Sequence, residues 1–123
     1  MAKPSRHSRQ KAERRGRIAE TVAALNLRLK GYRILETRVK TAVGEIDLIA
    51  VRGKTLAFVE VKQRQSHHLA LTAVSERNWQ RIANAAANWT AQNQGFHTHD
   101  WRYDLVTVSG RYWPRHFPDY WRP

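Results

Sequence analysis

Along this 123-residue chain the spacing of apolar positions switches between a helical and an extended period, and the switches lay out the elements. Ile18, Val22, Leu25 and Leu29 recur at helical spacing, which predicts a helix from about Lys11 to Lys30, stopped by Gly31. Gly16, Glu20, Ala24 and Leu27 form a second stripe of mostly small residues, so this helix is expected to be covered on both sides. Tyr32–Lys40 reads as a first strand. Gly44–Val51 and Thr55–Lys62 are two short apolar runs separated by Arg52-Gly53-Lys54, the pattern of a hairpin. A polar stretch from Gln63 to His68 follows, and Ser75 is the expected N-cap of a helix reaching about Gln94, just before Gly95. Its buried stripe is Asn78, Ile82, Ala85, Ala86 and Trp89, and both Trp79 and Trp89 are assigned to the core. Trp101–Val108 alternates as a last strand. The order is α-β-β-β-α-β, an α/β domain with a mixed sheet flanked by helices. No internal repeat interrupts it, and the length suits one core rather than two.

The hairpin carries the candidate chemistry. With Gly53-Lys54 as a two-residue turn of type II′, Arg52 faces Thr55, and counting back along both strands sets Asp47 opposite Glu60 and Glu45 opposite Lys62. Alternation puts all four side chains on one face, with Ile49, Val51, Leu56 and Phe58 continuing it toward the turn. Opposed like charges destabilise a sheet, and burial raises the cost unless something compensates. A divalent cation is one compensation: Mg²⁺ or Mn²⁺ prefers carboxylate oxygen and completes its shell with water and phosphate. Lys62 would then lie near a metal-bound water. Asp47, Glu60 and Lys62 thus fit metal-dependent phosphodiester chemistry. Glu45 opposite Lys62 fits equally well an ordinary cross-strand ion pair worth about 0.2–1 kcal/mol. The geometry depends on the turn, since a shift of one residue would send Asp47 to the other face.

Charge strengthens the polyanion side of this picture. Lys and Arg number 22 against 10 Asp and Glu, a formal net charge of +12, which favours nucleic acid as partner. Lys3, Arg6, Arg9, Lys11, Arg14, Arg15 and Arg17 crowd the start against Glu13 alone, a flexible basic segment (1–14) expected to add sequence-independent phosphate attraction or simply to solubilise the chain. Without cysteine there are no disulfides, thiolate zinc sites or cysteine nucleophile. No apolar run reaches transmembrane length and no hydrophobic signal segment opens the chain, so a cytoplasmic protein without membrane association is expected. A serine-centred triad, a phosphate-binding glycine loop and a dinucleotide fingerprint are all lacking. His67-His68 and His97-Thr98-His99 lack zinc-motif spacing and are assigned to loops. Glu20 either approaches the Asp47/Glu60 pair or is a surface acid beside Arg17. The tail from Arg111 to Arg122 interleaves arginines with aromatics, and is open to three uses: stacking on bases, packing on the sheet, or contact with a second copy in a homodimer.

The strings Gly44-Glu45-Ile46-Asp47-Leu48-Ile49-Ala50 and Phe58-Val59-Glu60-Val61-Lys62-Gln63-Arg64 closely resemble the bacterial YraN family. The likeness extends to Arg15-Gly16, Ala19-Glu20, Gly31–Leu35, Arg102–Val106 and His116–Tyr120. That family looks like part of the PD-(D/E)xK nuclease superfamily, near the archaeal Holliday junction resolvases. The resemblance implies a restriction-endonuclease-like fold over residues 15–123. Asp47 and Glu60 would ligate Mg²⁺ or Mn²⁺ with the Val61 carbonyl, Lys62 would assist the nucleophile, and Glu20 would match a helix glutamate of the resolvase branch. Arg14, Arg15, Arg17 and Arg64 are the expected nucleic-acid contacts, with DNA as the partner. The sequence departs from the family at Asn78, where lysine is common, and at His67-His68-Leu69-Ala70, which replaces a glycine-containing segment. Three functions follow as expectations: a metal-dependent nuclease-like protein, a non-catalytic nucleic-acid-binding or accessory module of the same fold, and a small basic structural protein.

Overall fold

The Gly53-Lys54 turn sets the register of the sheet. Gly53 has φ +59° while Lys54 is not among the positive-φ residues, which is the type II′ pattern, and Arg52 pairs with Thr55. The computed structural model describes residues 6–110 and 112–123, with side chains from residue 16 onward. In it β2 (Gly44–Arg52) and β3 (Thr55–Gln63) run antiparallel, with β1 (Arg33–Thr41) antiparallel on the other side of β2. β4 (Asp100–Val108) is parallel to β3, and β5 (Arg115–Trp121) is antiparallel to β4, so the sheet order is β1-β2-β3-β4-β5. A parallel pair needs a long crossover. Here it holds α2 (His67–Leu71), α3 (Glu76–Gln92) and a 3-10 turn, Gln94–Phe96. Ser66 and Ser75 cap the two helices, each hydroxyl accepting from the backbone N–H three residues on.

α1 (Arg6–Leu29) covers one face of the sheet and α3 the other. Under α1 lie Leu48, Ala50, Ala57, Val59, Val61, Val106 and Val108; under α3 lie Ile49, Val51, Leu56, Phe58, Tyr103 and Leu105. The central strands are therefore apolar on both sides, as a covered sheet requires. α3 buries Ile82, Ala85, Ala86 and Trp89 of the predicted stripe together with Trp79, whereas Asn78 is only partly buried. Where α3 crosses the start of β2, a Cβ added to Gly44 would meet the Arg81 carbonyl oxygen at 2.5 Å, so only glycine fits.

Several expectations need correction. α1 starts at Arg6, so the helix takes in residues 6–14 of the basic segment. Its buried face is Ala19, Ala23, Ala24 and Leu27, the small-residue side, whereas Ile18, Leu25 and Leu29 are exposed. Small side chains let the helix approach the sheet closely, and that outweighs the larger apolar area of the other stripe. The region assigned to loop at His67 and His68 opens α2 instead. Of the uses left open for the tail, packing on the sheet is the one seen, and it adds an edge strand, β5, to the expected order, with Trp121 stacked on Trp79 at 5.9 Å. Among the described residues no helix is long and apolar enough to cross a membrane.

Candidate functional site

The β2–β3 ladder stops at Leu48 and Val59, and the Asp47 side chain takes over where it ends. Its Oδ2 accepts the Val61 N–H at 2.8 Å. On the other flank, β1 pairs Thr37 with Leu48 and Val39 with Ile46, leaving Arg38 between them in the left-handed region at φ +53°. Glu60, only 7% exposed, borders the same cleft as Asp47. Burial, reinforced by the Asp47 hydrogen bond and charge, pushes the Glu60 carboxyl up to about 9, against the opposing pull of Lys62 and Asn78. Lys62 Nζ stands 3.9 Å from Glu60 Oε1, and Asn78 Nδ2 donates to Oε2 at 3.4 Å.

These groups border an open cleft of about 710 Å³, which Gly16, Ala19 and Glu20 of α1 also line, together with Arg64, Gln65 and Gly110. Charge on both carboxyls at once needs compensation. A divalent cation suits the pair, and an oxygen-only donor set suits Mg²⁺ or Mn²⁺. No group of three or more His, Asp or Glu that could hold a metal is present among the described residues, so water and substrate oxygen would complete the shell.

The expected residues sort clearly. Asp47, Glu60, Val61 and Lys62 come together, with the Val61 N–H already engaged by Asp47. Glu45 does not join them: it pairs with Lys40 of β1, is absent from the cleft lining, and makes no ion pair with Lys62. The reason is that the ladder ends before it. Glu20 reaches the cleft but is not the partner of Arg17; it holds Arg38 Nε at 2.7 Å. Arg17, Arg38 and Lys40 line a groove of about 440 Å³ that shares Gly16 and Glu20 with the cleft, so a cationic path leads to the carboxylates. Arg64 lines the cleft itself, while the side chains of Arg14 and Arg15 lie outside the described residues. Sequence reasoning missed the roles of Arg38 and of Asn78 on Glu60. An arginine in the middle of a strand carries no local mark of a positive φ, and Asn78 was visible as a polar member of a buried stripe and as the residue standing where the resembled family commonly has lysine, neither of which names Glu60 as its partner.

A second polar cluster surrounds Asp104, which is fully buried. It accepts from Arg102 through both oxygens at 2.8 Å, from His116 Nε2 at 2.7 Å and from the Asp119 N–H at 2.9 Å. Burial would raise its carboxyl, but these donors prevail and hold it below the usual carboxylate range. With its oxygens occupied and no solvent access, Asp104 ties β5 to β4 and, through the Arg102–Tyr32 contact, to the end of α1. His67 bonds Thr107 Oγ1 at 2.6 Å and braces α2 against β4.

A five-stranded mixed sheet between helices, with its carboxylate–lysine cleft at the end of the central hairpin, makes this a single small α/β domain of the restriction-endonuclease-like class. Residues 19–108 match the model of the uncharacterised protein family UPF0102, the YraN family, and the chain belongs to that family. It is similar to UPF0102 proteins of Rhizobium meliloti (50% identity over 89% of this chain and 89% of the relative) and Parvibaculum lavamentivorans (47% over 91% and 84%). A UPF0102 protein of Caulobacter vibrioides is 48% identical over 98% of both chains.

Proposed function

We propose that this chain is a nucleic-acid-binding, nuclease-like protein that hydrolyses phosphodiester bonds in DNA with Mg²⁺ or Mn²⁺. The observation that carries this reading is the Asp47–Glu60 pair, two carboxyls lining one open cleft with Lys62 at 3.9 Å from Glu60. Asp47 and Glu60 would hold the cation, with the Val61 carbonyl as a further oxygen. When bound, the cation polarises a phosphate oxygen and lowers the pKa of its water. Lys62 orients the attacking water and offsets charge developing on the phosphate. Asn78 steadies the outer oxygen of Glu60, and Glu20 faces the cleft from α1 under the hold of Arg38. The groove of Arg17, Arg38 and Lys40 brings the sugar–phosphate backbone to the cleft, and Arg64 meets it there.

The test is incubation of the purified protein with labelled single-stranded, duplex and four-way-junction DNA, and with RNA, at low salt in Mg²⁺ or Mn²⁺. An Asp47→Ala, Glu60→Ala variant prepared identically is the control. Cleavage that the variant lacks, with its nucleic-acid affinity intact, supports the reading. Binding without cleavage under every metal condition would move the chain to a non-catalytic accessory role.

A further inference from the structure

We infer that Tyr112 and Trp113, in the loop between β4 and β5, form a stacking platform for an unpaired nucleobase of the strand whose backbone enters the carboxylate cleft. This rests on the function proposed above and narrows its substrate to nucleic acid with single-stranded character. Tyr112 is 68% exposed and Trp113 57%. The other exposed tryptophan and tyrosine side chains have aromatic partners within the fold: Trp101 meets Phe58, and Tyr120 meets Trp79 and Phe117. Among the described residues no aromatic ring stands against Tyr112 or Trp113.

Their loop is nonetheless built. Gly110 turns the chain at φ +51°, the Tyr112 N–H donates to the Ser109 carbonyl at 3.0 Å, and Ser109 Oγ donates to the Gln65 carbonyl at 2.8 Å. Gly110 and Gln65 are themselves part of the cleft lining, along with Arg64, so the segment that carries the two rings leaves from the rim of the cleft. Arg115, just beyond them, is exposed. An exposed aromatic pair beside cations, on a chain of net charge +12, matches the chemistry of a single strand, whose phosphates seek cations and whose bases present flat apolar faces. Bases within a duplex are already stacked and leave no face to offer. The platform therefore selects unpaired nucleotides, and it does so without preference for a particular base.

The experiment measures binding of the full chain in chelator, where no cleavage occurs. The probes are an oligothymidine strand, an abasic strand of equal length with the same phosphates, and a blunt duplex. The wild type is expected to bind oligothymidine at least about tenfold more tightly than the abasic strand. Tyr112→Ala with Trp113→Ala should remove that preference while leaving abasic affinity and the thermal melt unchanged, and Tyr112→Phe with Trp113→Phe should keep it. Equal affinity of the wild type for the two strands, or an equal loss on both in the alanine variant, would overturn the inference. Because base preference is read without metal, it stands or falls apart from catalysis. Cleavage without base preference rejects only the platform, and base preference without cleavage rejects only the hydrolytic role.

Discussion

Glu60 has a carboxyl whose protonation the fold dictates. Burial and Asp47 carry it from an ordinary value of 4.5 to about 9, so between those pH values the folded chain holds a proton that the unfolded chain has released. Stability from this group is full below 4.5 and is lost as pH rises toward 9. The melting temperature in chelator should therefore fall across that window, and Glu60→Gln should flatten the fall. Comparing the two proteins isolates the carboxyl from His67, whose imidazole, lowered mainly by burial and then by Arg115, tilts the curve the other way in acid. A parallel pH dependence in both proteins would mean that Glu60 is ionised in the fold. Arg38 offers a second test at this scale. Its left-handed φ of +53° costs a non-glycine residue about 1 kcal/mol, and its half-exposed pair with Glu20 is worth less than about 1 kcal/mol. Arg38→Gly should thus be more stable than Arg38→Ala by about 1 kcal/mol in urea melts. Equal midpoints would place the strain elsewhere.

At the level of elements, what was legible in the sequence followed from local rules, and what was not depended on close packing. The turn residues Gly53-Lys54 fixed the hairpin register from Arg52 opposite Thr55 back to Leu48 opposite Val59, and Ser75 marked the start of α3. The end of the ladder at Leu48 was invisible, because it arises from the Asp47 side chain capturing the Val61 N–H. β5 was hidden by Pro118 within it and Pro114 just before it, which break alternation without preventing an edge strand from pairing on its inner side. α1 begins earlier than its apolar spacing indicates and is covered on one side rather than two, since close approach to the sheet favours its alanines and leaves the Ile18/Leu25/Leu29 stripe exposed. Substitution measures that choice directly. Ala23→Leu, fully buried against the sheet, should cost about 1–3 kcal/mol by overpacking. Leu25→Ser and Leu29→Ser, on the exposed stripe, should each change stability by less than about 0.5 kcal/mol. The reverse ranking in denaturant titrations would show that α1 packs through its larger stripe.

For the whole molecule, the distribution of charge sets how it meets a polyanion. On the proposed function, a net charge of +12 would attract nucleic acid without choosing a register, whereas the groove of Arg17, Arg38 and Lys40, which shares Gly16 and Glu20 with the carboxylate cleft, would align the backbone with the carboxylates. The two contributions differ in their response to salt. Each phosphate contact on a single strand releases counterions and adds about 0.7 to the slope of log affinity against log salt. Arg17→Ala with Lys40→Ala should therefore lower that slope by roughly 1.4 for an oligothymidine strand in chelator. Glu20 and the carboxylate pair remain untouched in this variant, and both substituted side chains stand clear of the buried core, so the fold should persist. An unchanged slope would mean that the backbone takes another path across the surface, and that attraction by the net charge alone, rather than the groove, accounts for binding.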